Sequence, residues 1–197
     1  MIRFATPEDL PFLKWMLYEA SYPEGVVQER PPFEKGLSDP TVWVYLDGWM
    51  RKGDAGLILT SQAGGPQGAA WYRLFTADAP GYGFIDEQTP ELAIALVYYF
   101  RGTGLGTQLL QALMSLARKQ GHKQISLHVD HGNTAAQALY EKCGFREAGK
   151  TDDGIKMLAD LRAPLPWEGG TPQSTPSAAA EGDAKPGESE KTPTRRP

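Results

Sequence analysis

The 197-residue chain has a single cysteine, Cys143, so no intramolecular disulfide can form. Its three histidines, His122, His128 and His131, and that lone thiol fit no closed zinc spacing, and no metal is expected. Surplus positive charge is absent too: 20 Lys and Arg face 24 Asp and Glu, a net charge of -4. Nucleic acid, which selects for clustered surplus cations, is not an expected partner. No stretch approaches the roughly 20 apolar residues that cross a bilayer. The most apolar run, Leu92 to Phe100, has the length of a strand and ends at Arg101. The opening MIRFATPEDL lacks the basic and apolar regions of a signal peptide. A cytoplasmic protein that is neither in nor on a membrane is expected.

Aromatics run out near the C-terminus. After Pro164 the composition is Pro, Gly, Ser, Thr, Ala and Glu with mixed charge, and Trp167 is the last aromatic residue. Such a segment buries too little to offset its ordering entropy. The expected organisation is one domain over residues 1–162 and a disordered tail over 163–197.

Within the domain, Ile2 to Phe4 reads as a strand. Thr6-Pro7-Glu8-Asp9 then signals a helix start, with Leu10, Leu13 and Leu17 on one face. A second helix is expected around Val42 to Met50. Strands are expected at Gly56 to Thr60 and Gly68 to Phe75, joined by a turn through Gly64-Gly65-Pro66. Ala93 to Tyr98 is continuously apolar, the pattern of a strand covered on both faces. Leu105, Leu109, Leu113 and Leu116 recur at helical spacing until Gly121, and Gln124 to Val129 is the next strand. Asn133 then caps a helix closed by Gly144, and Phe145 returns as a strand. The class is α/β or α+β, one mixed sheet flanked by helices.

The segment Arg101-Gly102-Thr103-Gly104-Leu105-Gly106-Thr107 lies between the apolar strand and the Leu-rich helix. Glycines there allow a tight turn and close backbone approach, and the free amides of a helix N-terminus favour an anion such as a diphosphate. The spacing is neither the dinucleotide G-x-G-x-x-G nor a Walker loop. A glycine-rich turn without a ligand is the plain alternative.

Arg101-x-x-Gly104-x-Gly106 resembles the Q/R-x-x-G-x-G/A signature of the GNAT acetyltransferases. Asn133, Ala136, Leu139-Tyr140 and Gly144-Phe145 resemble the second conserved block of that superfamily, in the right order. The first 85 residues, where substrate choice is largely set, resemble it only weakly.

The resemblance implies a mixed, mostly antiparallel GNAT sheet and acetyl-CoA as cosubstrate. It places the pantetheine arm along Ile94, Ala95, Leu96 and Val97, and the pyrophosphate on the amides of Arg101, Gly102, Thr103, Gly104, Leu105, Gly106 and Thr107. Asn133 would touch the cofactor or only cap its helix. Tyr140 would protonate the departing thiolate, its alternative being core packing. Glu91 and His128 are the candidate bases, with Glu91 slightly favoured. Cys143 is read as helix packing.

An amine would attack the thioester directly, in a monomer or homodimer. Trp15, Tyr18, Tyr22, Trp43 and Trp49 with Glu19, Glu24, Glu29 and Glu34 either line a cationic acceptor site or are core aromatics and a solvated acidic face. A non-catalytic acyl-CoA-binding module and a protein N-terminal or lysine acetyltransferase are the competing functions.

Overall fold

The computed structural model describes residues 1–168. In chain order its elements are β1 (Ile2–Phe4), α1 (Leu10–Ser21), α2 (Phe33–Leu37), α3 (Pro40–Trp43), β2 (Ala55–Thr60), β3 (Pro66–Arg73), β4 (Glu91–Leu96), α4 (Leu105–Lys119), β5 (Gln124–Asp130), α5 (Thr134–Lys142), β6 (Arg146–Lys150) and β7 (Gly154–Asp160). The seven strands form one sheet in the order β1-β2-β3-β4-β5-β7-β6. Only the β4–β5 pair is parallel. That pair needs a crossover, and α4 provides it.

Side-chain alternation along β4 builds both halves of the core. Leu92, Ile94 and Leu96 pack with Leu109 and Leu113 of α4 and with Tyr140 and Cys143. Ala93, Ala95 and Val97 belong to the opposite face, with Leu13, Met16 and Leu17 of α1. Both faces are covered, which is why this strand reads as an unbroken apolar run. At the start of α1, Asp9 accepts from the Thr6 N–H at 2.8 Å, so the expected N-terminal signal is used.

The expected helix over Val42 to Met50 stops at Trp43, and turns follow. Gly48 and Met50 take positive φ (57° and 73°). The carbonyls that would continue the helix are drawn to β3: Arg73 Nη1 donates to Val44 O (2.6 Å) and Asp47 O (2.9 Å), and Trp71 Nε1 to Tyr45 O (3.1 Å). Arg73 is also paired with Asp54 at 2.6 Å, both side chains buried. Removing one partner of such a pair costs about 3–5 kcal/mol.

The sequence reading also omitted α2 and the last strand. β7 returns from a turn at Thr151 to Asp153 and inserts between β5 and β6. The expected strand Ala93 to Tyr98 begins earlier, at Glu91, and gives way at Tyr98 to a 3-10 turn through Phe100. The strand expected over Gly68 to Phe75 runs from Pro66 to Arg73.

Residues 163–168, expected as the start of the tail, pack on the domain: Leu165 is buried and Trp167 half-buried against the α4–α5 core. Their apolar burial acts together with Arg118, which reaches Ala163 O at 3.4 Å and pairs with Glu168. The rest of the expected tail, 169–197, lies outside the described residues. Among the described residues no helix is long and apolar enough to cross a membrane.

Candidate active site

The sheet splits at its centre. β4 and β5 share one register pair, Glu91 with Ser126, and the Ser126 N–H donates to Pro90 O at 2.9 Å. Backbone groups alternate sides along a strand. Pro90, Leu92, Ile94 and Leu96 therefore face β5, whereas Val97 turns the other way, its N–H donating to Gln67 O at 2.9 Å. Beyond Glu91 the two strands diverge. Ile94 is left without a strand partner on that side, and Leu96 O accepts instead from Arg101 Nε at 3.2 Å. Of the stretch Ile94, Ala95, Leu96 and Val97, only Ile94 and Leu96 point into the opening. Ala95 and Val97 are taken up by β3.

The glycine loop stands at the mouth of this opening. Gly102 and Gly104 have φ of 73° and 83°, the left-handed region that glycine adopts without strain. A Cβ built on either meets nothing within 4 Å, so both face open space. Gly106 is different: it is helical, and its Cβ would lie 3.6 Å from Leu96 Cδ1, an ordinary contact. Gln108 is the first residue of α4 to bond back, to Gly104 O at 3.2 Å. Gly104 offers no side-chain cap, so the amides of Leu105, Gly106 and Thr107 have no partner among the described residues and lie at the positive end of the helix. A diphosphate fits this donor set.

Two neighbouring side chains are already engaged. Thr103 Oγ1 donates to Phe100 O at 2.6 Å. Arg101 Nη2 pairs with Glu19 Oε2 at 2.7 Å, and Glu19 Oε1 takes Arg30 at 2.7 Å. Arg101 thus ties the loop to α1, and its own N–H, expected among the pyrophosphate donors, is taken by Tyr98 O at 3.1 Å, so the anion-binding donors that remain are backbone amides from Gly102 onward.

From the α5 side come Asn133 and Tyr140. Asn133 caps the helix, Oδ1 accepting from the Ala136 N–H at 3.2 Å. Tyr140 is 8% exposed and stacks near Phe145, with its hydroxyl making no hydrogen bond among the described residues. Burial, with Asp130 nearby, raises its pKa well above the ordinary 10. It is a protonated phenol at neutral pH.

Glu91 and His128 lie on the opposite face, with α1 to α3. Glu91 is 1% exposed. Its Oε1 accepts from the Tyr45 hydroxyl and from the Gly83 N–H (2.8 Å), while Oε2 is buried with no partner among the described residues. Burial lifts its pKa to about 7, against the two hydrogen bonds and the charge of Lys156. His128 Nε2 lies 2.9 Å from Thr151 Oγ1 and 3.4 Å from Asp153 Oδ1, with the Tyr82 ring beside the imidazole. Burial lowers its pKa from 6.5, partly opposed by Asp153. No group of three His, Cys, Asp or Glu among the described residues could hold a metal.

Part of the aromatic and acidic set of the first half is engaged within the domain. Tyr18 donates to Pro31 O, Lys14 sits over Trp43, and Glu19 is neutralised by two arginines. Sequence reasoning missed Tyr45, Gly83, Thr151 and Asp153. The Asp152-Asp153-Gly154 turn is a visible signal in hindsight. Nothing local marks Tyr45.

Solved structures share this fold. The ribosomal-protein-alanine N-acetyltransferase of Brucella melitensis superposes with a TM-score of 0.58 at 26% identity, covering 81% of this chain and 99% of that one. The yncA protein of Salmonella typhimurium, in a structure with its cofactor acetyl-CoA, superposes at 0.57 and 19% identity over 91% of this chain and 98% of its own, a likeness of fold. The class that sheet and loop define is an acetyltransferase fold.

The profile of the Acetyltransferase (GNAT) family matches residues 23–145, and the chain belongs to that family, whose enzymes use acetyl-CoA. An L-methionine sulfoximine/L-methionine sulfone acetyltransferase of Pseudomonas aeruginosa is 31% identical over 149 residues, 76% of this chain and 81% of that protein. Mycothiol acetyltransferase of Corynebacterium glutamicum is 36% identical over 93 residues, 42% of this chain. The match covers 32% of that relative, so the chain spans about a third of its length.

Proposed function

We propose that the chain is an acetyl-CoA-dependent N-acetyltransferase that acetylates a primary amine by direct attack. The observation that carries this reading is the strand opening beyond Glu91 and Ser126, set beside a helix N-terminus with three free amides.

Acetyl-CoA, when bound, supplies the activated acetyl thioester. The amides of Gly102 to Thr107 hold its diphosphate, and Ile94 and Leu96 offer backbone groups to its amide-bearing arm. Arg101 positions the loop through Glu19, and Asn133 is spent on its cap. Tyr140 holds a proton at its hydroxyl for the departing sulfur, and its raised pKa keeps that proton in place until the thiolate forms.

On the other face, His128 takes the ammonium proton. Its lowered pKa leaves it neutral, and so able to accept, at pH 7. Glu91, favoured from sequence, is better suited to holding the 81–83 loop: one carboxylate oxygen is saturated and the other sealed from solvent. We read the protein as cytoplasmic, a monomer or homodimer, with neither nucleic acid nor membrane as partner. The acidic net charge and the single cysteine, which can form no intramolecular disulfide, support that setting.

The test is coenzyme A thiol release from acetyl-CoA against amino acids, polyamines, aminoglycosides and peptides, beside a thermal-shift titration. Turnover with at least one amine is expected. Stabilisation without thiol release across the panel would favour a non-catalytic acyl-CoA-binding module, and the absence of both stabilisation and thiol release would overturn the reading. The 26% identity with a ribosomal-protein-alanine N-acetyltransferase favours a second acceptor class, a polypeptide N-terminus, which the peptide arm separates from small amines.

A further inference from the structure

Thr151 Oγ1 sits among three polar atoms whose roles are fixed by their chemistry. The Gly154 N–H, at 2.9 Å, can only donate. Asp153 Oδ1, at 2.8 Å, can only accept: burial pushes that carboxyl up, but the bond from Thr151 and the nearby histidines hold it below its ordinary value. The hydroxyl has one proton, and the carboxylate takes it. His128 Nε2, the third neighbour at 2.9 Å, must therefore donate. The opposite arrangement would set the lone pairs of Oγ1 and Oδ1 against each other at 2.8 Å.

The ring is seated for this contact. A Cβ on Gly154 would fall 2.6 Å from His128 Nε2, so only glycine at the start of β7 lets the imidazole reach the turn. Tyr82 covers the ring, with centroids 5.5 Å apart. The other ring nitrogen, Nδ1, makes no hydrogen bond among the described residues, and it is not among the sealed unpartnered atoms.

We propose that Thr151 and Asp153 hold His128 in its Nε2–H tautomer, so that Nδ1 is the atom that accepts the amine's proton. Thr151 and Asp153 are positioning residues for that base. The inference rests on His128 being the base, but the tautomer itself is measured without turnover. The charged and titratable groups around the ring are Asp153 from the turn, Asp130 and His131 from the end of β5, and Lys156, its register partner on β7. None of them offers Nδ1 a hydrogen bond.

The experiment is ¹⁵N NMR of the histidine side chains in the full-length protein above pH 7, with the His128 resonances assigned by their loss in His128→Gln. A protonated Nε2 and an unprotonated Nδ1 are expected in the wild type. Asp153→Ala removes the acceptor, frees the hydroxyl proton for Nε2, and should shift the ring toward Nδ1–H. Thr151→Val should give a mixture and lower kcat roughly 10-fold, as loss of a histidine's outer partner does, with KM for acetyl-CoA unchanged. Thr151→Ser should restore both. An Nδ1–H tautomer in the wild type, or an unchanged ring state in both Asp153→Ala and Thr151→Val, overturns the proposal. A wild-type rate in His128→Gln overturns the base assignment instead and leaves the tautomer result standing.

Discussion

The hydroxyl of Tyr45 donates to Oε1 of Glu91, 46 residues away, and accepts the Tyr82 N–H at 2.8 Å. With Gly83 as second donor, Oε1 is satisfied and Oε2 is left unpartnered, so the carboxyl is at ease only when Oε2 carries a proton. The folded-state pKa, about 7, stands above the ordinary 4.5. Between those values the native state binds more protons than the unfolded chain, so stability is fully present below pH 4.5 and is lost as pH rises through 7. Glu91→Gln mimics the protonated acid. It should match wild type at pH 5 and exceed it at pH 8 by up to about 3 kcal/mol in urea unfolding. Equal stabilities at pH 8 would mean that the charged carboxylate finds a partner.

Tyr45 also marks the limit of the sequence reading. The loop, α4 and α5 were legible because each is set by local signals: positive-φ glycines, a helical Leu spacing, an Asn cap. The Tyr45–Glu91 bond depends on turns after α3, and those depend on Arg73 and Trp71 claiming carbonyls from β3. Such choices are made by tertiary packing, which propensity does not see. The split at Ser126 is legible only through the family resemblance, because apolar runs carry no record of which neighbour they leave.

Two glycines of the loop should behave differently. Gly104→Val forces a β-branched residue into the left-handed region and places a side chain where the diphosphate is proposed to lie. It should abolish the rise in melting temperature caused by acetyl-CoA. Gly106→Ala meets only ordinary contacts with Leu96 and Leu139 and should fold and bind nearly as wild type. Undiminished stabilisation of Gly104→Val by acetyl-CoA would remove the loop from the binding site.

Leu165 anchors the segment after β7 in the α4–α5 core. Leu165→Ala should destabilise the domain by about 2–4 kcal/mol, in the range for buried leucines, and truncation after Arg162 should cost at least as much. Chemical denaturation of both variants checks this. A loss under about 0.5 kcal/mol in each would show that the segment adds nothing to the core.

Tyr140→Phe deletes a proton donor and no hydrogen bond among the described residues. Melting temperature and acetyl-CoA affinity should stay near wild type while kcat falls roughly 100-fold, the loss expected for a general acid. Equal turnover in the variant would leave Tyr140 as packing against Phe145.

The identity of the base can be read from the position of one limb in the pH dependence of kcat/KM, which reports free-enzyme groups. Burial has reversed the usual order of the two candidates: Glu91 titrates near 7, whereas His128 titrates on the acidic side of 6.5. A base must be deprotonated, so the rate falls as pH drops through its pKa. If His128 is the base, the acid limb lies below pH 6.5, His128→Gln removes it and lowers the rate roughly 100-fold, and Glu91→Gln keeps it. A limb near 7 that disappears in Glu91→Gln would return the role to the carboxylate. Wild-type profiles in both variants would assign proton removal to neither. The histidine is the expected answer because both groups can accept a proton near pH 7, His128 as a neutral ring and Glu91 as a partly ionised carboxyl, and access then decides between them. Nδ1 of His128 is not among the sealed atoms, whereas Glu91 Oε2 could meet an amine only after the 81–83 loop opens.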